Sequence, residues 1–418
     1  MNLRPFMPFA VMTWFVGSLL SASAQVPLPD DIAIAPPAST VAKEQAAFSG
    51  SWLGSWGGDL PTALIVEQVH SNGTANVIYA WGEPPMKFFK PGWVRQTAKI
   101  DGHKLEFISG GGADVEFSLE TNGLLFGHYQ ISNSPPSEVE LRRLTTTNIA
   151  AIVAATKQPM VTGEEVRIPV HSHIPPTDGL TYQLQTTIFR QSAPGKHPVM
   201  ILNHGSTGPG IIPATYAVRG GNDEMFFQSL GYTVVIPMCK GRGASDGPNV
   251  EENFFLPSDI QLDSAIEDLD AVIGWVRAQP DMDYEKIVLA GASRGGMLSV
   301  AYAGRFPTNV IGVINFSGGW FGEGMPGPDF NSIAFADAGR LAKVPMLWLY
   351  ADHDSYYSLK YIEGQFAKFC DAGGQGELVK YDDVPGNGHF LSQWVDRWQG
   401  KATDYLKRLP TTAAPDRK

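Results

Sequence analysis

Cysteine is almost missing from this sequence: Cys239 and Cys370 are the only two among 418 residues. That excludes a disulfide framework as the main source of stability. Positive charge is also scarce, with 31 Lys and Arg against 42 Asp and Glu and a net charge of −11. No basic stripe is present to neutralise phosphates, which argues against a nucleic-acid partner. Beyond the N-terminus no apolar run is long enough to span a bilayer. No repeated blade or helical unit appears, so a propeller is not expected. What is there is ordinary globular material, 43% hydrophobic and 17% charged, in a length sufficient for two or three domains and a large core.

The single long apolar run lies at the start. Arg4 is the only charged side chain before Asp30, Phe6 to Leu20 is mostly apolar, and Ala22-Ser23-Ala24 precedes Gln25. Residues 1–24 therefore read as an export signal, with an uncleaved anchor as the alternative, and the expected destination is periplasmic or secreted. Residues 25–46 are rich in Pro and Ala and read as a flexible leader.

Between 47 and 144 short β-like runs alternate with turn signals. Asn72-Gly73, Asp101-Gly102 and Asn122-Gly123 each separate two such runs, the pattern of tight hairpins. The stretch predicts an antiparallel meander of about eight strands, closed into a small barrel. The aromatic and Pro-rich loop Trp81–Trp93 reads as a packed connection or a barrel mouth. Residues 145–163 are expected to be a linker with a short helix near 148–157.

From 164 to 410 the pattern becomes α/β, ahead of a short tail at 411–418. Two β runs (165–173 and 182–190) precede six more, at 198–203, 232–238, 286–292, 310–316, 344–350 and 377–381, with helical segments between them. Such alternation predicts a mostly parallel sheet covered on both faces. The helix before the run at 286–292 has Ser258 and Gln261 spaced as a capping box. Its apolar residues Leu262, Ile266, Leu269, Ile273 and Val276 recur along one face.

Lys286–Met297 reads KIVLAGASRGGM. An apolar run, the turn Gly291-Ala292-Ser293-Arg294-Gly295 and a helix-like segment follow one another, the pattern of a nucleophile elbow. Glycines flank the serine where a Cβ would clash. A second match, Gly243-Ala244-Ser245-Asp246-Gly247, leads into Pro248 and a polar loop, so context selects Ser293. A serine nucleophile needs a base, and the base an orienting acid. The run at 344–350 ends in Ala351-Asp352-His353-Asp354, which offers two carboxylates. After the last run comes a Gly-rich loop with His389.

Together these features resemble the α/β-hydrolase superfamily, closest to its dienelactone-hydrolase and prolyl-oligopeptidase-like branch. The resemblance implies an α/β-hydrolase sheet and the order Ser293, Asp354, His389 for nucleophile, acid and base, with Asp352 as competitor for the acid. It implies an oxyanion hole from Arg294 and the loop His204-Gly205-Ser206, with Gly205 and Ser206 as the candidate donors and His204 as a brace. Gly241-Arg242-Gly243 resembles the loop stretch of the same family. Dienelactone hydrolases have a cysteine where Ser293 stands, which argues against that specific activity. The fold places Cys239 and Cys370 several strands apart, so no disulfide is expected between them. Trp320 and Phe321 are candidates for the acyl pocket. Gly50-Ser51-Trp52 and Arg142-Arg143 resemble the ends of lipocalin-like barrels.

The function expected is an exported serine hydrolase acting on a small-molecule or polymeric carboxylic ester, without cofactor or metal. The His171-x-His173 pair lacks a third ligand in the sequence. The alternatives are a peptidase or amidase using the same residues, and a non-catalytic binding protein on this scaffold.

Overall fold

The computed structural model describes residues 26–410 other than 57–59, 84–89, 121–122, 132–136, 145–147, 157–162, 207–216, 219, 252 and 254. The expected export signal and the C-terminal tail lie outside the described residues, as do residues 84–89 of the Trp81–Trp93 loop.

Eight antiparallel strands close into a barrel: β1 Gly50–Trp56, β2 Leu60–Val69, β3 Thr74–Trp81, β4 Gly92–Asp101, β5 Lys104–Ile108, β6 Asp114–Leu119, β7 Leu125–Gln130 and β8 Ser137–Leu144. Gly73 and Gly102 take φ of +80° and +59° in their hairpin turns, the left-handed backbone that their Asn-Gly and Asp-Gly dipeptides favour. Closure is made by β1, which pairs with β2 on one side and β8 on the other. Trp52 faces Arg143 across that seam, and the guanidinium lies 4.1 Å from the indole centroid. Arg143 also donates to the carbonyls of Ala47 and Ser49. Alternate side chains point inward and fill the barrel: Trp52, Leu64, Val66, Tyr79, Phe107 and Phe117 belong to one buried cluster.

The segment after residue 25 departs from expectation. Instead of a flexible leader it is a strap fixed to the outer wall of the barrel. Val26 and Ile32 are buried with Ala63, Ile65, Ile78 and Ala80 of β2 and β3. Ala35 donates its N–H to the Glu67 carbonyl, and Arg95 bridges Asp31 and Glu67 at 2.8 and 2.9 Å. The strap ends in a single helical turn, α1 (Lys43–Ala46). The short helix expected in the linker is α2 (Ile149–Ala155). Its Ile152 joins the same outer cluster, and Thr156 accepts the Val26 N–H at 3.4 Å.

The remainder forms a second sheet of eight strands: β9 Glu164–His171, β10 Thr181–Phe189, β11 His197–Asn203, β12 Thr233–Pro237, β13 Met282–Ala292, β14 Gly312–Phe316, β15 Met346–Ala351 and β16 Gly376–Tyr381. Their spatial order is β16-β15-β14-β13-β11-β12-β10-β9. The β9–β10 and β10–β12 pairs are antiparallel and all others parallel. Every strand of the sequence reading is present.

Successive residues of β13 serve opposite faces, Ile287 and Leu289 one core, Val288 and Ala290 the other. The first face is covered by α4 (Ser258–Arg277), α5 (Arg294–Arg305), α6 (Phe330–Leu341) and α7 (Leu359–Asp371), the second by α3 (Asn222–Ser229) and α8 (Val395–Lys407). All five periodic residues of α4 are buried, each such burial worth about 1.5–3 kcal/mol. The capping box at its start does not form: Pro257 is the N-cap and makes no side-chain bond. The Gln261 amide donates to the carbonyls of Asn253 and Leu256 and accepts from the Trp320 indole. Long-range partners thus outcompete the local one. Among the described residues no helix is long and apolar enough to cross a membrane.

Candidate active site

Parallel strands end on a common edge, and in open α/β sheets that edge is where ligands gather. Here β13 delivers Ser293, β11 the His204–Ser206 loop, β14 the Ser317–Phe321 loop, β15 the Asp352–Asp354 loop and β16 the loop to His389.

Ser293 has φ +55° and ψ −123°, a strained conformation for a residue with a side chain. Its flanking glycines are sterically required. A Cβ on Gly295 would collide with the backbone of Asn203 and His204, one on Gly291 with Gly295, and one on Gly296 with Asn315 and Gly318. The helix α5 starts at Arg294, so its first N–H groups open beside the serine. Gly205 packs directly on the elbow, its Cβ position 3.2 Å from Ser293 Cβ and from the Ala292 carbonyl oxygen. Ser206 follows, exposed.

Two bonds link the Ser293 turn to the His389 loop through the end of β14. Ser293 donates its N–H to the Phe316 carbonyl at 3.0 Å, and Ser317 donates its hydroxyl to the Gly388 carbonyl at 3.5 Å. His389 is nearly buried, and its Nδ1 lies 3.0 and 3.1 Å from the two oxygens of Asp354. Asp354 is closed off from solvent, its side chain 0% exposed. It also accepts the N–H groups of Tyr356 and Tyr357 at 2.8 and 3.2 Å. Asp352 instead points outward at 53% exposure and accepts the N–H of its neighbour His353. Of the two candidate carboxylates, Asp354 is the one that meets the imidazole.

Burial and then the Asp354 charge push the Tyr357 phenol far above its usual range, so it stays neutral beside the pair. Asn387 ties the two loops together: its side-chain oxygen accepts from the N–H groups of His389 and Ser355, at 3.0 and 3.1 Å. The Gly-rich loop ahead of His389 was readable from the sequence, whereas the Ser355 partner of its Asn387 was not.

The loop after β11 is braced from below. His204 bonds the Gly205 carbonyl through Nδ1 at 2.8 Å and accepts the Cys239 N–H at Nε2. The Cys239 thiol, pushed up by burial and then by Glu251, donates to the Glu251 carboxylate at 3.3 Å. The Glu251 carbonyl in turn accepts from the Arg294 guanidinium. Arg294 also bonds the Trp320 carbonyl. Next in chain, Lys240 is buried against Asp268 and Ser264. Burial lifts the Asp268 carboxyl to about 6, with Lys240 opposing the rise.

Other candidates fall elsewhere. Ser245 is occupied structurally, accepting the Gln185 N–H and donating to the Met238 carbonyl at 2.8 and 2.9 Å. Trp320, expected to border an acyl pocket, is only 2% exposed and belongs to the core under Arg294. Phe321 is half-buried and packs on Phe330. His171 faces the Thr181 hydroxyl. Cys239 and Cys370 are free thiols. Among the described residues no group of three or more His, Cys, Asp and Glu side chains is placed to hold a metal ion.

The sequence profile of the alpha/beta hydrolase fold matches residues 198–337, a span that includes β11 to β14 and the Ser293 turn. The α/β part of the chain has the α/β-hydrolase fold, preceded by the closed antiparallel barrel. Similar solved structures include an esterase from Pyrococcus furiosus, at 15% identity and TM-score 0.44, covering 59% of this chain and 90% of that one. A Klebsiella pneumoniae protein described as a dienelactone hydrolase matches at 17% identity and TM-score 0.40, over 59% of this chain and 99% of its own. An acylaminoacyl peptidase from Pyrococcus horikoshii matches at 13% identity and TM-score 0.43, over 88% of this chain and 72% of its own.

Proposed function

We propose that this protein is an exported serine hydrolase that cleaves carboxylic esters through an acyl-enzyme. The observation that carries the reading is the buried His389–Asp354 pair, 3.0 Å apart, on the same strand edge as a serine held at φ +55°. With Nδ1 turned to Asp354, Nε2 is the nitrogen free for proton transfer. Ser293 Oγ attacks the ester carbonyl carbon as His389 Nε2 takes its proton. The carbonyl oxygen, now negative, is met by the backbone N–H of Arg294 and by those of Gly205 or Ser206. His389 then protonates the departing alcohol, water attacks the acyl-serine, and the carboxylic acid leaves. Asp354 fixes the imidazole tautomer and stabilises its charged form.

The test is hydrolysis of p-nitrophenyl esters from short to long acyl chains by the wild type and by Ser293→Ala. Turnover by the first and none by the second supports the reading, and chain-length preference sizes the acyl pocket. Labelling of Ser293 by a fluorophosphonate without ester turnover would redirect it to a peptide or amide substrate. A folded protein that does neither would overturn it.

A further inference from the structure

His389 carries an exposed ring that the acyl-transfer chemistry does not require. The Tyr356 phenol packs on the imidazole with centroids 4.5 Å apart, yet 52% of the residue remains exposed. Its neighbour Tyr357, 5.8 Å from the same imidazole, is by contrast buried. Tyr356 is held in place through its backbone. Its N–H bonds Asp354, and its carbonyl accepts the Glu323 N–H at 2.9 Å. Gly322 lies along the ring, its Cβ position 3.7 Å from Tyr356 Cδ1. The ring therefore lies between His389 and the loop after β14, and Met325 of that loop is also exposed. Phe390 meets the imidazole edge-on at 6.1 Å and is 48% exposed. Single exposed apolar residues are common. Here two exposed rings converge on one nearly buried histidine.

The direction of proton transfer says what these rings touch. This step rests on the serine hydrolase reading. When the tetrahedral intermediate collapses, the carbon–oxygen bond to the alcohol breaks. The electron pair stays on the alcohol oxygen, which takes the proton from His389 Nε2. The leaving oxygen must lie within hydrogen-bond reach of the imidazole, so the group it carries rests against whatever flanks that ring. We infer that Tyr356, with Phe390, forms an aromatic lip for the leaving group, and that the preferred substrates are esters of large apolar or aromatic alcohols, phenols included. The lip selects the alcohol half of the ester; the acyl half is read elsewhere.

The test keeps the acyl group fixed as acetyl, so that deacylation is common, and compares kcat/KM for leaving groups of similar acidity. Phenyl acetate is paired with hexafluoroisopropyl acetate, and benzyl acetate with ethyl acetate. The wild type is expected to favour the ring-bearing member of each pair by about tenfold, the scale of one aromatic contact. Tyr356→Ala should bring that ratio close to one, and Tyr356→Phe, which keeps the ring, should restore it. An equal loss on both members of each pair would make Tyr356 a mere support for His389 and overturn the inference. So would a wild type without ring preference. Fluorophosphonate labelling of Ser293, run in parallel, reports the nucleophile independently of the alcohol. No labelling and no turnover by the wild type would overturn the hydrolase reading and the lip together.

Discussion

Cys239 donates its backbone N–H to Nε2 of His204 across 3.1 Å, and this one bond decides where the imidazole carries its proton. An amide N–H can only donate, so Nε2 is the acceptor and the hydrogen sits on Nδ1, directed at the Gly205 carbonyl. His204 is thereby a fixed clamp on the loop that carries Gly205 and Ser206, the donors proposed for the oxyanion. His204→Phe keeps a ring and removes both bonds. It is expected to lower kcat for ester hydrolysis by about 10–100-fold, with a smaller change in KM, because misplaced donors are felt mainly in the transition state. Steady-state kinetics decide this; a change confined to KM would contradict it.

The two carboxylates after β15 should separate cleanly. Asp354 is enclosed and bonded to His389, so Asp354→Asn is expected to lower kcat by up to about 10⁴-fold through the wrong imidazole tautomer. Asp352, half exposed, should tolerate Asn with less than about a twofold change, as surface substitutions usually do. Comparable losses in the two variants would reverse the assignment.

The barrel seam is open to a stability test. Arg143→Ala removes the stacking on Trp52 and two bonds to carbonyls. A loss of about 1–2 kcal/mol in denaturant unfolding is expected, from a cation–π contact whose arginine stays exposed and from charge-assisted hydrogen bonds. Arg143→Lys should recover only part of it, because an ammonium cannot both stack flat and reach two carbonyls. Full recovery would show that charge alone holds the seam.

Asp223, on α3, gives a pH-dependent contribution of known sign. Burial raises its carboxyl from 3.8 to about 6. Between those values the folded chain holds a proton that the unfolded chain has released. The favourable contribution is therefore complete below about pH 4 and is lost as pH rises through about 6. Asp223→Asn keeps an oxygen for the Glu224 N–H and cannot ionise. Relative to wild type it should gain about 1–3 kcal/mol between pH 4 and pH 7. A pH-independent difference in unfolding free energy would refute this.

What was legible in the sequence was local or periodic. Alternation and Asn-Gly or Asp-Gly turns announced the barrel hairpins, and apolar runs announced the strands of the second sheet. The elbow glycines announced Ser293, because backbone approach admits no other residue there. Fold-level spacing carried the prediction on to Asp354 and His389. Illegible were the contacts that join distant segments. Ser258 and Gln261 had the spacing of a capping box, but Asn253, Leu256 and Trp320 claim the Gln261 amide. Cys239 gave no sign that its N–H meets His204 and its thiol Glu251. Pro and Ala in 25–46 suggested freedom, since neither residue shows periodicity. The burial of Val26 and Ile32 depends on a wall built by β2 and β3.

That strap sets an order of events during synthesis. Val26 and Ile32 leave the ribosome before any surface exists to receive them. The wall of Ile65 and Ile78 comes next, and Thr156, which accepts the Val26 N–H, comes only after the whole barrel has been made. Until β2 and β3 have formed, the strap has no apolar wall to cover it. The nascent chain thus carries an unfastened first segment until β3 has been made, and Ile152 and Thr156 secure it only after all eight barrel strands have been synthesised.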